Sequence, residues 1–424
     1  MFTAPRGTQD ILPADQKYWH FVTTAAEETA ALYGFARIDT PIFEETALFH
    51  RGVGEGTDIV EKETYDFTDK SGGKLTLRPE GTAPVCRAYV EHGLFNEPKP
   101  LRLYYLAPAF RYDRPQKGRY RQHHQFGGEV FGDSDASCDA QVIAMLCHFY
   151  QKIGLKKLDL HLNSIGCRAC LPVYLEALKK YYATNYNNLC PDCKGRFTNN
   201  TLRLLDCKEE RCASLALQAP KSTDCLCADC AEHHRQLKGY LTALNIAFEE
   251  NHRLVRGLDY YNRTVFEIMP TGENGQQSSI GGGGRYDNLV MQLDGPPTPA
   301  FGFGTGIERI IINLKEQNQA IPEISRIDIF IVVTNAKAQM QGIVLAEKLR
   351  MSGYNVLVGT AGKSIKAQMK QANKSEAHLA IIIGEEEAAN DAAVIKELEN
   401  QNEQQCVMQT DIESIVNNLL SKES

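Results

Sequence analysis

Residues 110–129 read FRYDRPQKGRYRQHHQFGGE and gather Arg111, Arg114, Lys117, Arg119 and Arg121 within a few positions, in a chain whose formal net charge is −7. Taken alone, such a run is a solvated loop. Three stretches, however, set fixed charge among glycine and aromatic residues: RPEGTAP at 78–84, the run itself, and VRGLDYYNRTVFE at 255–267. A phosphate ester is best held by guanidinium groups, which fork onto two oxygens, and Arg111, Arg114, Arg256 and Arg309 are available for that. An ammonium group needs carboxylates instead, and Glu80 and Glu129 can supply them. Each residue alone reads as a structural ion pair. Together they ask for a ligand carrying both kinds of charge.

The cysteines are a second chemical signal. Cys167 and Cys170 followed by Cys190 and Cys193 match the C-x2-C…C-x2-C zinc pattern, and Cys207, Cys212, Cys225, Cys227 and Cys230 are further possible ligands. The same residues are equally readable as ordinary thiols. A nucleophilic role is disfavoured, because no His with an acidic partner stands at a recognisable spacing. Two nucleotide-binding patterns fail. VGTAGKS at 358–364 lacks the first P-loop glycine, Leu357 standing in its place, and GGGG at 281–284 does not fit a dinucleotide fingerprint. The glycine run reads either as a flexible turn or as backbone passing close to a ligand.

Positioning these groups takes several elements. At 424 residues the chain suggests two or three domains, and 43% hydrophobic with 23% charged residues is ordinary for a globular protein. No stretch approaches 18 uninterrupted apolar residues and the N-terminus has no signal-like apolar region, so a cytoplasmic protein with no membrane partner is expected. Trp19, Val22, Ala26 and Ala30 predict a helix over 14–34, and Gly72 and Gly73 a hairpin turn. Two strands are expected over 101–131. In the second, Arg121, His123, Gln125, Gly127 and Glu129 share one parity and so one face, which favours a lined cavity over polar burial without partners. A helix follows at 134–153. Nine of the thirteen cysteines then fall within 167–245, a stretch of helical runs that reads as an inserted module. A linker at 318–325 closes the first unit, and residues 326–424 alternate apolar strands with helices, the last beginning near Asp411, as in a small α/β domain with a mostly parallel sheet.

With these residues in view, the chain resembles the histidyl-tRNA synthetases, class II aminoacyl-tRNA synthetases, over nearly its whole length. RIDTPIFEETALFHRG is similar to motif 1, FRYDRPQKGRYRQHHQFGGEVFG to motif 2 and PAFGFGTGIERI to motif 3. LVRGLDYYNRTVFE and GGGRYD resemble two stretches particular to the histidine enzymes. The resemblance implies an α+β fold: a catalytic domain at 1–325 built on an antiparallel sheet flanked by helices, a helical insertion at about 167–245, and an α/β anticodon-binding domain at 326–424. It implies a homodimer joined through motif 1. The implied reaction makes histidyl-adenylate and pyrophosphate from L-histidine and ATP with Mg2+, then charges the 3′ end of tRNA(His).

Carried over by position, the resemblance gives Arg111 the α-phosphate of ATP, Arg309 the far phosphates and Arg256 a catalytic place at the α-phosphate. Histidine falls to Glu80, Thr82, Gln125 and Glu129, with Tyr260, Tyr261 and Tyr286 around the imidazole. Arg114, Lys117, Arg119 and Arg121 fall to the tRNA acceptor end. Similar C-x2-C pairs occur in relatives without a required metal, so structural zinc on Cys167, Cys170, Cys190 and Cys193 is not favoured. Three departures stand out: Thr305 in FGTGIER, the doubled glycine of FGGE, and one additional glycine in SIGGGGRYD. A non-catalytic paralogue serving histidine biosynthesis is the alternative, but it erodes RGLDYY and motif 2, which are intact here. A zinc module binding RNA without chemistry leaves VRGLDYY and GIER unexplained.

Overall fold

The two strands expected at 101–131 form over Leu101–Phe110 and Gln122–Phe131, paired antiparallel with Leu103 opposite Glu129 and Ala107 opposite Gln125. The structure, a computed structural model, describes residues 1–54, 57, 59–271, 279–322, 327–398 and 404–420. The chain divides into two units, Met1–Ile321 and Pro322–Ser424. Part of the linker expected at 318–325, and with it the expected 325/326 boundary, lies outside the described residues.

In the first unit the hairpin belongs to an eight-stranded sheet. Its order is Ala36–Arg37, Leu101–Phe110, Gln122–Phe131, Ala300–Gly306, Gly281–Arg285, Asn262–Pro270, Leu158–Ser164 and Glu249–Glu250. The inner pairs are antiparallel, but the short strands at both edges pair parallel, so the sheet is mixed. Two-residue strands carry no alternation, which leaves these edges invisible to a periodicity reading.

Of the two readings open for the glycine run, the flexible turn does not form. Gly281–Arg285 is a buried interior strand, and a side chain at Gly282 would meet both Arg256 Nη1 (2.8 Å from an ideal Cβ) and the Phe266 carbonyl oxygen (2.6 Å). Strand Ala300–Gly306 lies beside it. There the Thr305 hydroxyl donates to the Ile280 carbonyl at 2.7 Å and accepts from the Tyr150 hydroxyl at 2.8 Å. A larger apolar residue at 305 offers neither bond.

Helices Gln16–Leu32, Ala136–Lys152 and Ile307–Glu316 cover one face of the sheet, burying Val22, Ala26 and Ala30 with Ile143, Phe149, Phe126, Phe303 and Ile310. The first two match the helices expected at 14–34 and 134–153. Asp135 caps the second by accepting the Ser137 N–H at 2.8 Å. A small antiparallel sheet, Phe43–Glu45, Lys74–Leu77 and Tyr65–Thr68, contains the expected Gly72–Gly73 hairpin and leaves Ile42, Phe43 and Phe67 exposed.

The insertion is helical, with Cys170–Thr184, Pro191–Asn199, Glu210–Leu217 and Ala228–Ala243 around Tyr174, Leu178, Tyr182, Leu189 and Leu204. A buried charge network ties it to the sheet. Arg285 pairs with Asp139, donates to the Asp133 carbonyl at 2.8 Å, and His233 from the last insertion helix lies 3.5 Å from the same Asp139. Arg285 is fully buried, so these partners are what make its charge tolerable there.

The second unit has a five-stranded sheet ordered Val356–Val358, Ile329–Val333, Leu379–Ile383, Ala392–Glu397 and Gln405–Met408. The first three strands are parallel and Ala392–Glu397 runs antiparallel to both its neighbours, so four of the five strands share one direction, as in the mostly parallel sheet expected. AAVIKE is poor in strand formers, so the fourth strand carries little signal. The final helix, Ile412–Leu419, starts after Asp411 as expected. Among the described residues, no helix is long and apolar enough to cross a membrane.

Candidate active site

Three guanidinium groups come from three elements. Arg111 follows the Leu101–Phe110 strand and its Nε donates to the Pro79 carbonyl at 2.8 Å. Arg309 sits in the first turn of Ile307–Glu316, where Nε donates to the Gly118 carbonyl at 2.9 Å and Nη1 to the Ser279 carbonyl. Arg256 precedes the Asn262–Pro270 strand and pairs through Nη1 with Glu267, its guanidinium carbon 5.7 Å from the Tyr261 ring centroid. All three line one cavity of about 540 Å³, together with Arg119, His123 and Gln125. The anchoring contacts engage one edge of Arg111 and two of Arg309, which fixes both side chains in place.

The electrostatics follow from this crowding. Burial, then Arg119 and Arg111, lower the pKa of Arg309. Burial, then the Arg111 and Arg309 guanidinium groups, push His123 down to about 3, so its ring is neutral. Burial works against charge on Arg256, but Glu267 and then Tyr261 outweigh it and raise its pKa. Arg256 Nε and Glu267 Oε2 are buried and have no hydrogen-bond partner among the described residues.

Beyond the cavity is an enclosed cluster of carboxylates and tyrosines. Glu129, fully buried, accepts from Thr82 Oγ1 at 2.7 Å, from the Tyr105 hydroxyl at 3.3 Å and from the Tyr286 hydroxyl. Burial pushes its carboxyl up to about 8, against these hydrogen bonds. Glu80 accepts the Thr82 and Ala83 N–H groups at 2.6 and 2.8 Å, closing the start of helix Thr82–Glu91, and burial raises its pKa as well. Tyr260 packs 4.7 Å from Tyr261 and 5.6 Å from Tyr286, centroid to centroid. The doubled glycine now has a reason: an ideal Cβ at Gly127 would stand 2.2 Å from the Tyr105 ring, which lies across the strand.

The sequence-predicted residues thus fall into two groups. Arg111, Arg256, Arg309 and Gln125 meet at the cavity, while Glu80, Thr82, Glu129, Tyr260 and Tyr286 form the enclosed cluster. Tyr261 joins them, touching Arg256 on one side and Tyr260 on the other. The residues of the cationic run have different partners. Arg114 is exposed, Lys117 pairs with Glu316, and Arg121 stacks 3.9 Å from the Tyr112 ring centroid. Arg119 pairs with Asp113 and faces the cavity.

Sequence reasoning missed three contributors. His123 was visible through its strand parity with Gln125, and Glu267 closes the quoted VRGLDYYNRTVFE stretch. Tyr105 carries no local signal, since its place depends on Gly127 from the opposite strand.

The four cysteines grouped by spacing do not form one site. Cys167 and Cys170 meet Cys227 and Cys230, while Cys190 and Cys193 meet Cys207 and Cys212. Cys225 belongs to neither set. Spacing identified the pairs, but long-range folding decides which pairs converge.

Three anchored guanidinium groups converging on one cavity suit a polyphosphate, and the adjoining carboxyl–tyrosine cluster suits a small polar molecule with an ammonium group and an aromatic ring. Residues 7–179 and 198–310 match the family model described as Histidyl-tRNA synthetase, and residues 328–421 match one described as Anticodon binding domain. A histidine–tRNA ligase of Dehalococcoides mccartyi is 57% identical over 398 residues, covering 94% of this chain and 95% of that protein. One from Desulforamulus reducens is 47% identical over 403 residues, covering 95% and 96%. The crystal structure of apo S. aureus histidyl-tRNA synthetase superposes with a TM-score of 0.82 at 37% identity, covering 98% of this chain and all of that one.

Proposed function

The chain belongs to the histidyl-tRNA synthetase family and has the activity of a histidine–tRNA ligase, and from that premise we propose how its residues divide the work. ATP enters as its Mg2+ complex. Arg111 and Arg256 hold the α-phosphate, and Arg309 holds the far phosphates. The histidine carboxylate attacks the α-phosphorus in line. An O–P bond forms to the carboxylate, the bond to the bridging oxygen of the β-phosphate breaks, and pyrophosphate leaves. Charge accumulates on the non-bridging oxygens, where guanidinium groups already anchored by Pro79, Gly118, Ser279 and Glu267 stabilise it without reorganising. The free Nε of Arg256 supports its role as a donor to the substrate.

Histidine takes the enclosed end, because its carboxylate must reach the arginines while its ring needs a dry, polar-lined floor. Glu80, Thr82 and Gln125 receive the ammonium group; each Glu80 oxygen keeps a lone pair after accepting its backbone N–H. Glu129, with Tyr260, Tyr261 and Tyr286, receives the imidazole. A site that hydrogen-bonds the ring rejects analogues lacking those atoms by about 10⁴-fold or more. In the second step the adenylate acylates the 3′ end of tRNA(His), with Arg114, Lys117, Arg119 and Arg121 on the acceptor end and the second unit on the anticodon. Exposed Ile42, Phe43 and Phe67, in and beside the motif 1 segment, support a homodimer. The place of action we infer is the cytoplasm.

The observation that carries this reading is the convergence of Arg111, Arg256 and Arg309 on one cavity beside the Glu80–Glu129–tyrosine cluster. The non-catalytic alternative is not favoured, since every one of these groups is present. Histidine-dependent exchange of labelled pyrophosphate into ATP tests it. No exchange by protein that still binds histidine would end the proposed catalytic assignment.

A further inference from the structure

Eight of the nine cysteines of the insertion gather in two sets that stand outside the reaction just described. Each set of four brings its sulfurs within 4.8 Å of one another. Individual separations are 3.6 Å for Cys167–Cys170, 4.0 Å for Cys167–Cys227 and 3.8 Å for Cys190–Cys207. Four sulfurs at about 2.3 Å from a tetrahedral zinc ion stand roughly 3.8 Å apart, whereas a disulfide needs about 2.05 Å. A multi-iron cluster would hold its four cysteines much further apart. Both sets also consist of two short pairs, C-x2-C with C-x2-C in one and C-x2-C with C-x4-C in the other.

The backbone around the sulfurs is arranged for thiolates. The Cys227 N–H donates to Cys170 Sγ at 3.1 Å, the Cys190 N–H to Cys212 Sγ at 3.2 Å, and the Cys193 N–H to Cys190 Sγ at 3.4 Å. Cys170, Cys190, Cys212 and Cys227 each lie at or within the first turn of a helix, whose N-terminal dipole favours negative charge. Such outer donors orient ligands and moderate their charge in tetrathiolate centres.

We propose that the insertion carries two structural zinc ions, one on Cys167, Cys170, Cys227 and Cys230 and one on Cys190, Cys193, Cys207 and Cys212. The first ion staples the neck of the module, joining its entry at helix Cys170–Thr184 to helix Ala228–Ala243, which returns the chain to the sheet. The second fixes the distal segment. Cys190 and Cys207 themselves line the active-site cavity, with Arg203, Asp206 and Lys208 beside them, so this ion sets one wall of the site. Small modules commonly supplement their hydrophobic core with metal staples. Neither ion takes part in the reaction.

The full-length protein, purified without added metal and dialysed against metal-depleted buffer, should contain two zinc ions per chain by elemental analysis. The double variants Cys227→Ser/Cys230→Ser and Cys207→Ser/Cys212→Ser should each retain one. Zinc at one equivalent or less in the wild type, iron in its place, or two ions kept by either variant would overturn the assignment. Wild-type protein reconstituted with cobalt(II) guards against misfolded variants: it should show thiolate-to-metal charge transfer and the d–d bands of a tetrahedral tetrathiolate at two cobalt per chain. An octahedral spectrum would overturn it equally.

Discussion

Arg256 rests on Glu267, with Tyr261 at its side and the side-chain-free Gly282 beneath it. Glu267 is buried, so it can keep a guanidinium charged in the interior and also fix where that charge points. The pair lies where the arginine-lined cavity meets the tyrosines, and so within reach of both proposed substrates.

Arg256→Ala should lower kcat for histidine-dependent pyrophosphate exchange by on the order of 10²–10³, the usual effect of losing one fixed donor to developing charge. Histidine Kd, measured by calorimetry, should change by less than about threefold. Glu267→Gln should slow the same step by about tenfold at unchanged histidine affinity, because it acts by positioning Arg256. An unaltered exchange rate in Arg256→Ala would remove its assigned role.

The parity of one strand made much of this site legible: His123, Gln125 and Glu129 alternate, and the structure puts the first two on the cavity and the third in the enclosed cluster. The terminal domain's first helices and strands were legible for the same reason, a strong local period. What escaped depends on residues far away in sequence. GGGG obeys the local rule for a turn, yet it is an interior strand because Arg256, Tyr261 and the neighbouring backbone occupy the space its side chains would fill. The C-x2-C pairs were legible singly, but which pairs meet depends on how helices over 60 residues of chain pack. In the cationic run, Asp113, Tyr112 and Glu316 separate charges that look equivalent in sequence.

Two buried groups predict opposite pH effects on stability. Glu129 stays protonated in the folded chain up to about pH 8, against an ordinary value of 4.5, so stability falls as pH rises through that window. His123 stays neutral down to about pH 3, against an ordinary 6.5, so stability falls as pH drops through that one. Each slope is about 1.4 kcal/mol per pH unit, and the two cancel where the windows overlap. In urea unfolding against pH, Glu129→Gln should lose the decline between about pH 6.5 and 8, and His123→Gln the decline between about 4.5 and 3. Profiles parallel to wild type in those ranges would show that neither shift exists.

The cationic loop should separate the two half-reactions. Arg114→Ala with Lys117→Ala should leave pyrophosphate exchange within about twofold but raise the KM for tRNA about tenfold, and should reduce the dependence of log KM on log salt by roughly one unit per phosphate contact. Arg119→Ala should slow exchange as well, since its guanidinium faces the cavity. If the double variant slowed both half-reactions equally, the loop would belong to ATP and not to tRNA.

Thr305 links Tyr150 to the Ile280 carbonyl through one hydroxyl, and the Ile280 oxygen also accepts the Gly306 N–H at 3.2 Å. Thr305→Val keeps the volume but strands the buried Tyr150 hydroxyl, at a cost of about 1–3 kcal/mol in unfolding free energy. Tyr150→Phe alone should cost less, because Thr305 keeps Ile280 as its acceptor. The double variant removes both partners and should recover most of the loss, giving a coupling energy near 1 kcal/mol in a double-mutant cycle. Strict additivity of the two single effects would show that the hydroxyls do not depend on each other.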